Sequence, residues 1–414
     1  MDNDINNARI LVVTSTFPRY QNDTEPAFVL DLCRYLKKYG YTIDVIAPHA
    51  EGTRKKEIIN GISIFRYRYF FPSFEKLAYS GGILANLKKN RLNYLLIPFF
   101  ILFQFAAICL HLQKYKYNLI HAHWLIPQGF LCILAKYIIF KKNIPVICTS
   151  HGGDLYGIQS PLLNYLKKWI MTKSDHVCVV SKAMKNVCTK MGINKDKLSV
   201  MSMGVDLKER FTPVPEITRR LNRLIFVGRF VEKKGIVNLL QAFTLVTQQK
   251  PEVELYLVGG GTLRDYLEER TYQLGINEKV FFYGSVTQEE LPSLYSSSTI
   301  AVIPSIIEDS GDQEGLGLVI IEAMGCGCAV IASSLDAIKD VVIDNVNGLL
   351  VVPGEINELA KKILYLLDNE KSRKNLAKNA RDSVVKKYSW EHCAKKYDDL
   401  FNSLLKKNLF PEYS

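Results

Sequence analysis

The sequence predicts an α/β protein made of two doubly wound domains, each with a parallel sheet covered by helices. Short apolar runs alternate with longer amphipathic stretches along most of the chain, which is typical of βα repetition. The alternation stops once, in a charged stretch that contains Pro213 and Pro215, and then restarts. The chain has 414 residues, too many for one ordinary hydrophobic core. These observations together favour two domains over one.

The first half of the chain predicts an N-terminal domain over residues 1–208, followed by a linker over 209–222. Each predicted strand is a short apolar run bounded by polar or turn residues. The predicted elements are strands at 9–14, 42–47, 118–121, 145–149 and 175–180 and a helix at 26–39.

The second half predicts a C-terminal domain over 223–388 and a separate amphipathic helix in the tail 389–414. The elements of this domain are a helix at 234–249 and strands at 223–227, 252–258, 280–283, 299–303, 329–331 and 348–351. Two such domains joined by one linker are expected to face each other across a cleft. Because open parallel sheets bind ligands at the carboxyl ends of their strands, functional groups are expected in the βα loops.

Composition indicates a folded globular protein in a reducing compartment. The chain is 48 % hydrophobic and 23 % charged, and its nine cysteines show no disulfide spacing. Cys326 and Cys328 could form a metal or redox pair, but no other Cys/His cluster accompanies them, and small packing residues are the favoured interpretation. The N-terminus lacks the basic, apolar and small-residue order of a signal peptide, which predicts a cytoplasmic location.

The net charge of +12 suits nucleic acid, an anionic membrane surface or a phosphorylated ligand. No zinc finger, helix-turn-helix pattern or interleaving of aromatic and basic residues supports nucleic acid as a partner. The two remaining partners are therefore expected.

Residues 92–112 form an almost wholly apolar segment about as long as a membrane span. Three interpretations compete: a buried or groove-lining helix, a helix in the membrane interface, and a true span. Pro98, Gln104 and His111 interrupt the segment and disfavour a span. The basic residues on both sides fit the interface, where each Lys or Arg near anionic lipid contributes roughly 1 kcal/mol.

The loop after the first strand of the second domain predicts an anion site. Gly228 and Arg229 follow the strand directly, and Lys234 stands at the start of the next helix. A helix N-terminus offers backbone N–H groups and a positive dipole end, and two flexible cations added there suit a diphosphate. The alternative is a solvated basic turn, and Lys233 is assigned to the surface.

Gly259 opens a glycine run at a second strand-to-turn junction. Glycine permits close approach of a ligand to the backbone or a positive φ, so a ligand contact and a tight turn are equal alternatives. The run is not G-x-G-x-x-G, and no acid stands at the spacing that a dinucleotide site requires.

Glu314 and Glu322 flank the most informative segment. Glu322 is the only charged residue in 315–333, and a lone carboxylate in such a run requires a partner. Gly317 and Leu318 would present N–H groups at a helix N-terminus. A carboxylate beside that anion site makes sense if it meets hydroxyls, and Glu322 could accept hydrogen bonds from a diol such as a ribose. The alternative is that both acids pair with Arg229 and Lys234 as structural ion pairs.

His151 is the candidate of the first domain, since it follows a strand and glycines open the backbone beside it. Asp154 could act nearby. His121 and His123 form a His-x-His pair after the preceding strand, but no third metal ligand is evident, and packing is the favoured interpretation. No D-x-D motif stands at a strand end, because Asp2-Asn-Asp4 lies in a presumed flexible tail. We therefore expect no bound metal.

Ordered motifs in both halves carry a family resemblance. They are HAHW (121–124), TSHGGD (149–154), VVSK (179–182) and MGVD (203–206), then GRF (228–230) with Lys234-Gly235, LVGGG (257–261), EGLGLVIIEAMGCG (314–327) and NGLLV (347–351). In them the chain resembles the retaining GT-B glycosyltransferases of family 4 over residues 9–397. The chain departs from the family at Thr16-Phe17-Pro18-Arg19, where a glycine-rich loop is usual, and at 334–337, where many members have a Gly-Gly turn.

The resemblance implies a nucleotide-sugar donor, UDP- or GDP-linked, bound mainly by the C-terminal domain, with no cofactor. The implied roles are the diphosphate for Arg229 and Lys234, the phosphate for the amides of Gly317 and Leu318, the ribose for Glu322, the transferred sugar for Glu314, and the sugar and reaction centre for His151. It also implies that the C-terminal helix packs back on the first domain, with Trp390 as its anchor.

The expected function is retaining sugar transfer to a hydroxyl of a lipid-linked saccharide in bacterial surface polysaccharide assembly, on the inner face of the cell membrane. The acceptor is expected from the basic flanks and apolar segment 92–112. Two rival hypotheses are a catalytically silent GT-B partner protein at the membrane and a sugar-nucleotide epimerase. An epimerase needs acid–base carboxylates in both domains, and the first domain offers few.

Overall fold

The computed structural model describes residues 8–20, 23, 25–79, 81–141, 143–157 and 159–409. The described parts of Met1–Gly204 and Trp390–Ser414 form one compact unit, and Val205–Ser389 form a second. The Asp2-Asn-Asp4 motif lies outside the described residues.

The first unit is built on a twisted sheet whose strands are parallel except at one edge. Among the described residues its strands are β1 (Arg9–Val13), β2 (Thr42–Pro48), β3 (Lys56–Ile59), β4 (Ile62–Tyr67), β5 (Leu119–His123), β6 (Val146–Ser150), β7 (His176–Val179) and β8 (Leu198–Val200). They lie in the order β3-β4-β2-β1-β5-β6-β7-β8. The strand order therefore reverses between β1 and β5, where open α/β sheets bind ligands.

The β3–β4 hairpin is antiparallel and departs from the all-parallel prediction. Asn60 and Gly61 connect its strands, both with positive φ, at +52° and +74°. An Asn-Gly pair between apolar runs is the strongest local hairpin signal, so the sequence did contain this element. The short strand β8 was also not predicted.

The helices of the first unit are α1 (Phe28–Lys37), α2 (Ile83–Lys89), α3 (Ile97–Lys114), α4 (Phe130–Ile138), α5 (Gly153–Tyr156), α6 (Pro161–Lys173), α7 (Lys182–Lys190) and α14 (Trp390–Leu409). The last of these comes from the C-terminus and packs on α1. Trp390 is buried and stacks on Tyr35 at 5.8 Å between ring centroids. Tyr41 donates a hydrogen bond of 2.8 Å to Asp398, further along α14. A side chain at Gly204 would collide with the indole of Trp390, so glycine is required there.

The second unit is a doubly wound parallel sheet. Its strands are β9 (Arg220–Val227), β10 (Glu254–Val258), β11 (Val280–Gly284), β12 (Ser298–Ile303), β13 (Ala329–Ser333) and β14 (Leu349–Val351). Its helices are α8 (Ile236–Gln249), α9 (Arg264–Gln273), α10 (Leu291–Ser297), α11 (Leu318–Gly325), α12 (Ile356–Asp368) and α13 (Glu370–Tyr388). The order β11-β10-β9-β12-β13-β14 reverses between β9 and β12.

Strand β9 begins three residues earlier than predicted, inside the predicted linker. Arg220 pairs with Ser298 in the ladder between β9 and β12. Arg223 lies over the ring of Tyr256 at 3.9 Å and donates a hydrogen bond of 2.9 Å to its hydroxyl. These contacts offset the unfavourable free energy of placing charged side chains in a strand. The charged residues before 223 therefore did not mark where β9 begins.

The apolar segment 92–112 is a single helical stretch that lies mostly on the surface. A 3-10 turn at Arg91–Leu96 leads into α3. The stretch Arg91–Lys114 is long and apolar enough to cross a membrane, although only 28 % of an apolar 18-residue window within it is buried. Its buried side chains follow one stripe: Phe100, Gln104, Ile108 and Leu112. The interpretation as a buried or groove-lining helix therefore holds for this stripe and for the C-terminal half of α3, which lines a groove, while the rest of the outer face is exposed.

Candidate active site

The loops after β9 and β12 form the candidate site of the second unit. These strands are neighbours at the point where the strand order reverses, so their loops leave the sheet side by side. Ile306 donates a backbone hydrogen bond of 2.8 Å to the carbonyl of Lys233. The ammonium of Lys233 pairs with Asp312 at 2.9 Å and is only 12 % exposed. Lys233 thus ties the two loops together, and its assignment to the surface was wrong.

Lys234 and Glu314 form the central contact of this site. The ammonium nitrogen of Lys234 lies 2.5 Å from Oε2 of Glu314, and the two side chains are 11 % and 15 % exposed. Gly235, which follows Lys234, has a φ of +64° and caps α8. A Cβ at this position would lie 1.9 Å from the carbonyl oxygen of Pro304, after β12. Glycine therefore lets the two loops approach closely enough for the ion pair to form.

The electrostatic surroundings keep Glu314 ionised. Burial acts to raise its pKa, but the charges of Lys234, Lys233 and Arg229 and the hydrogen bond from Lys234 act against it, and the pKa is lowered from its ordinary value. Arg229 itself is exposed at the start of the loop. Glu314 is thus a carboxylate among cations at neutral pH.

Glu322 lies in α11, and its pKa is shifted in the opposite direction from that of Glu314. It is 7 % exposed and accepts a hydrogen bond of 3.4 Å from the hydroxyl of Tyr295. Burial raises its pKa to about 7, against the hydrogen bond from Tyr295 and the charges of Arg210 and Lys234. Near neutral pH this carboxyl can therefore both donate and accept hydrogen bonds. Tyr295, in α10, was not identified from the sequence, because a lone tyrosine in an amphipathic stretch carries no signal.

Gly317 and Leu318 stand where the sequence predicts a helix N-terminus. Gly317 is the N-cap of α11 with a φ of +79°, and Leu318 is the first residue of the helix. The first N–H groups of a helix have no partner within it and carry the positive end of its dipole. This end of α11 can thus receive an anion beside Glu314.

Gly228 and Gly259 bring the ends of β9 and β10 together. A Cβ on Gly259 would lie 2.0 Å from the carbonyl oxygen of Gly228, and Gly228 N–H donates to Val258 at 3.0 Å. The close approach of the two loops requires glycine at position 259. Gly259 has a φ of +132°, which only glycine adopts readily, and a ligand contact at Gly228 or Gly259 stays a prediction.

The first unit holds the histidine site by itself. His151 follows β6 and its Nε2 lies 2.9 Å from Nδ1 of His123, the last residue of β5. The His151 ring also packs on Phe28 and Trp124, at 4.9 and 4.8 Å between ring centroids. Trp124 has a φ of +74°, which is strained for a tryptophan and is the kind of backbone found at functional sites.

His123 is a direct partner of His151 and is more than a packing residue. The signal was the H-A-H-W sequence at the C-terminal end of β5, the strand that neighbours β6, which places His123 and His151 at the same end of the sheet. Burial lowers the pKa of His121 to about 3, and burial together with the charge of His121 lowers that of His151 to about 3. The cluster is therefore uncharged at neutral pH and offers hydrogen bonds.

Asp154 lies under the histidine loop and is 3 % exposed. Its Oδ2 accepts a hydrogen bond of 2.7 Å from Leu125 N–H, and its Oδ1 accepts one of 2.7 Å from the hydroxyl of Ser150. Burial raises its pKa, although these hydrogen bonds oppose the shift. Both carboxylate oxygens of Asp154 are thus hydrogen-bonded to residues next to the loop of His151. These contacts are those of a residue that holds this loop in position.

The described residues contain no group of three or more His, Cys, Asp or Glu side chains that could hold a metal ion. Cys326 and Cys328 are buried, and the thiol of Cys328 donates to the carbonyl of Tyr295 at 3.1 Å. Their interpretation as packing residues agrees with these contacts.

Sequence comparisons place both units in one enzyme family. Residues 27–209 match the model of Glycosyltransferase Family 4, and residues 208–383 match that of Glycosyl transferases group 1. An uncharacterized glycosyltransferase of Methanocaldococcus jannaschii is 30 % identical over 340 residues, which cover 80 % of this chain and 88 % of the relative.

Solved structures share the fold. A sucrose-phosphate synthase from Thermosynechococcus elongatus superimposes with a TM-score of 0.77 at 24 % identity, over 96 % of this chain and 99 % of the other. HepE from Anabaena, in complex with UDP-glucose, gives 0.72 at 18 % identity, over 95 % and 99 %. The chain therefore belongs to family 4 of the glycosyltransferases, and its two Rossmann-like units form a GT-B fold.

Proposed function

We propose that this glycosyltransferase moves a sugar from a UDP- or GDP-linked donor to an acceptor hydroxyl, with retention of configuration and without a metal ion. The observation that carries the proposal is the Lys234–Glu314 ion pair beside the N-terminus of α11. Glu322 lies within the same helix. One cation, one ionised acid and one acid with a raised pKa match the diphosphate, sugar and ribose of such a donor.

The diphosphate is assigned to Arg229, Lys234 and the helix end at Gly317 and Leu318. Leaving-group departure places negative charge on the diphosphate, and fixed cations and N–H groups stabilise that charge without reorganisation of solvent. Glu322 is assigned to the ribose, since a buried carboxyl half-protonated near pH 7 suits a vicinal diol. HepE, which shares the fold, is a protein solved with UDP-glucose, and this supports a uridine donor.

The reaction breaks the bond between the anomeric carbon and the phosphate oxygen, and the electron pair leaves with the nucleoside diphosphate. The acceptor oxygen forms the new bond from the same face, and its proton passes to the departing phosphate oxygen. Glu314 and His151 then orient the sugar rather than attack it. A two-step route, in which a protein carboxylate first takes the sugar, is the alternative.

Metal independence is proposed because the chain supplies positive charge of its own. Lys234 and Lys233 both lower the pKa of Glu314, as does Arg229, so three cations act on one small region. Arg229 and Lys234, with the N–H groups at the start of α11, can neutralise a diphosphate in the way that a divalent ion does elsewhere.

The acceptor is proposed to be a saccharide carried on a lipid, used in bacterial surface polysaccharide assembly, with the protein peripheral on the inner face of the membrane. The support is the net charge of +12 and the outer face of α3, which is apolar along a helix long enough to span a bilayer. These features fit an amphiphilic acceptor better than a free sugar.

Thermal unfolding with UDP, GDP and their sugars tests the donor. One nucleotide at 100 times its dissociation constant should stabilise the protein by about 2.7 kcal/mol, with or without EDTA. Lys234→Ala should abolish the shift. Lys250→Ala is a matched control, because Lys250 follows the far end of α8 and is also ion-paired, to Asp368 at 2.6 Å. No shift with any nucleotide, or a shift lost in EDTA, contradicts the proposal.

NMR of the product tests retention of configuration. The anomeric configuration of the new linkage should be the same as that of the sugar in the donor.

A further inference from the structure

The outer face of α3 and its preceding turn forms an extended apolar surface on the first unit. Its exposed large side chains are Leu92, Tyr94, Leu95, Phe99, Ile101, Leu102, Phe103 and Leu110. Several are more than half exposed, among them Leu102 at 59 % and Leu110 at 64 %. Scattered apolar residues are normal on a surface, but a contiguous patch of this size marks an interaction site.

Phenylalanines after β4 extend the patch. Phe70 lies 5.4 Å from Phe99 and 5.4 Å from Phe71, between ring centroids. Phe71 and Phe74 are 69 % and 60 % exposed. The aromatic rings of this loop therefore continue the outer face of α3 instead of covering it.

The charges on and next to α3 in the sequence have one sign. Between Glu75 and Asp154 the sequence contains no Asp or Glu but nine Lys or Arg. Exposed cations stand at both ends of the helix: Lys88, Lys89 and Arg91 before it, and Lys114 and Lys116 after it. An apolar face with cations at its borders complements an anionic bilayer, in which acyl chains lie beneath negative headgroups.

The inner stripe of α3 holds the helix flat on the sheet. Phe100 packs edge-on against Tyr67 and Tyr69, at 5.5 and 5.1 Å between ring centroids. Gln104 is fully buried in the same stripe. A helix that crossed the bilayer would have to leave β2 and β4 and expose these contacts, so the fold favours a helix that lies in the plane of the interface.

A groove of about 640 Å³ opens beside the C-terminal half of α3, against β4. Its lining includes Lys55, His111, Lys114 and Tyr115, and Leu110 belongs to both the groove and the outer face. Lysine and tyrosine side chains in such a hollow can hold a phosphate group that is attached to an apolar tail.

We propose that the first unit docks on an anionic bilayer through the outer face of α3 and the loop of Phe71 and Phe74, with the groove at Lys55 and Lys114 receiving a lipid headgroup phosphate. The helix lies in the membrane interface and does not span it. This inference rests on the proposed function only in that a lipid-borne acceptor gives the docking its purpose.

Flotation with lipid vesicles tests the docking. The protein should float with phosphatidylglycerol-containing vesicles and not with vesicles of phosphatidylcholine alone. The Leu102→Asn/Leu110→Asn variant should bind at least tenfold more weakly. Leu162→Asn, which changes a leucine 76 % exposed on α6 of the same unit, should bind like the unchanged protein. Unchanged flotation of the double variant, or no flotation of the unchanged protein, overturns the proposal.

The same protein preparations test the groove and the two alternative ligands, free phosphate and a second copy of this chain. Lys55→Gln/Lys114→Gln should weaken binding to phosphatidylglycerol vesicles roughly 20-fold. Inorganic phosphate should not release the bound protein, and release would identify a site for free phosphate instead. A dimer that the leucine substitutions dissociate, without vesicle binding, would assign the face to a second copy and overturn the docking. Nucleotide-induced stabilisation should be equal in all variants, so failure of the donor proposal is seen separately.

Discussion

Lys234 donates a hydrogen bond of 2.5 Å to Glu314, a residue 80 positions further along the chain. The contact joins the loops of two neighbouring strands at the point where the strand order of the second unit reverses. Glu314 has a lowered pKa, whereas Glu322, which lies inside the helix α11 that follows the same loop, has a raised pKa. Two carboxyl groups whose pKa values are shifted in opposite directions by their surroundings are expected to have different roles in one reaction.

Glu314→Gln should separate donor binding from transfer. The neutral amide removes a negative charge beside the proposed diphosphate, so UDP or GDP should bind as tightly as before or more tightly. Transfer should fall about 100-fold, because the group that orients the sugar loses its charge. Calorimetry with the nucleotide and initial rates with the sugar donor measure the two effects. A wild-type rate in this variant would remove Glu314 from the reaction.

The same residue decides between the two routes of transfer. A two-step route predicts that donor without acceptor adds the mass of one sugar to the protein, at a carboxylate. The one-step route predicts no such adduct. Intact-protein mass spectrometry of the unchanged enzyme, with Glu314→Gln as the control, distinguishes them.

Glu322→Gln should stabilise the protein in a pH-dependent way. The pKa of Glu322 is raised from 4.5 to about 7 in the folded state, so between these values the folded chain holds a proton that the unfolded chain has lost. The wild type must therefore lose stability as pH rises from 4.5 through 7, by up to about 3 kcal/mol. The variant lacks this group, and its advantage should grow over that window.

Denaturant unfolding at several pH values measures the difference between the Glu322 variant and the wild type, in which all other titrations cancel. Glu216→Gln, at an exposed position, reports the general effect of removing one carboxylate. A difference that stays constant between pH 4.5 and 8 would show that burial does not raise the pKa of Glu322.

Most of the fold could be predicted from the sequence because periodicity reports burial directly. The strands at 9–14 and 42–47 were predicted within a residue of β1 and β2. The β3–β4 hairpin was missed because β3 lies at the edge of the sheet and has no fully buried residue. Edge strands bury one face at most, so the apolar signal fades there even when the turn signal at Asn60-Gly61 is strong.

The sequence pointed to Lys234, Glu314 and Glu322, and the structure brings Lys234 and Glu314 into contact, but the other contacts of this site were not predicted. A lone acid in an apolar run identified Glu322, yet nothing local indicated that Tyr295 would be its partner. Lys233 and Lys234 look alike in sequence, and only the position of Asp312 gives them separate partners. Partners that come from distant loops depend on tertiary packing, which a single sequence does not specify.

Asp154→Ala should destabilise the first unit by about 2–5 kcal/mol. The change leaves Leu125 N–H and the Ser150 hydroxyl buried without their acceptor, and each such loss is worth about 1–3 kcal/mol. Ser150→Ala removes one of the two bonds and should lose less. Urea unfolding measures both effects. Equal stabilities of Asp154→Ala and wild type would show that the carboxylate does not anchor these loops.

Asp154→Asn should keep most of the activity that His151→Ala loses. The amide oxygen can accept from Leu125 N–H while the amide NH2 donates to the hydroxyl oxygen of Ser150, so the loop that carries His151 keeps its position. We expect the rate per folded molecule to stay within roughly tenfold of wild type, against a loss of about 100-fold for His151→Ala. An asparagine variant as slow as the alanine variant would instead make Asp154 a direct participant in the reaction.

Gly235→Ala should damage both the second unit and its donor site, and Gly275→Ala should damage neither beyond ordinary backbone strain. The two glycines have nearly the same backbone, with φ of +64° and +68°. At Gly275 a Cβ meets nothing within 4 Å, whereas at Gly235 it would lie 1.9 Å from the carbonyl oxygen of Pro304. The pair therefore shares the strain of a positive φ and differs only in the collision.

Gly275→Ala is expected to lose about 1 kcal/mol of stability, which is the usual penalty for a side chain at positive φ. Gly235→Ala should lose clearly more, because either the loop after β9 or the loop after β12 must move. That movement carries Lys234 away from Glu314, so nucleotide affinity should fall in Gly235→Ala and stay unchanged in Gly275→Ala. Denaturant unfolding and calorimetry on the two proteins measure these differences. Equal losses of stability, with nucleotide affinity intact in both, would show that the close approach of the loops at Pro304 does not position the ion pair.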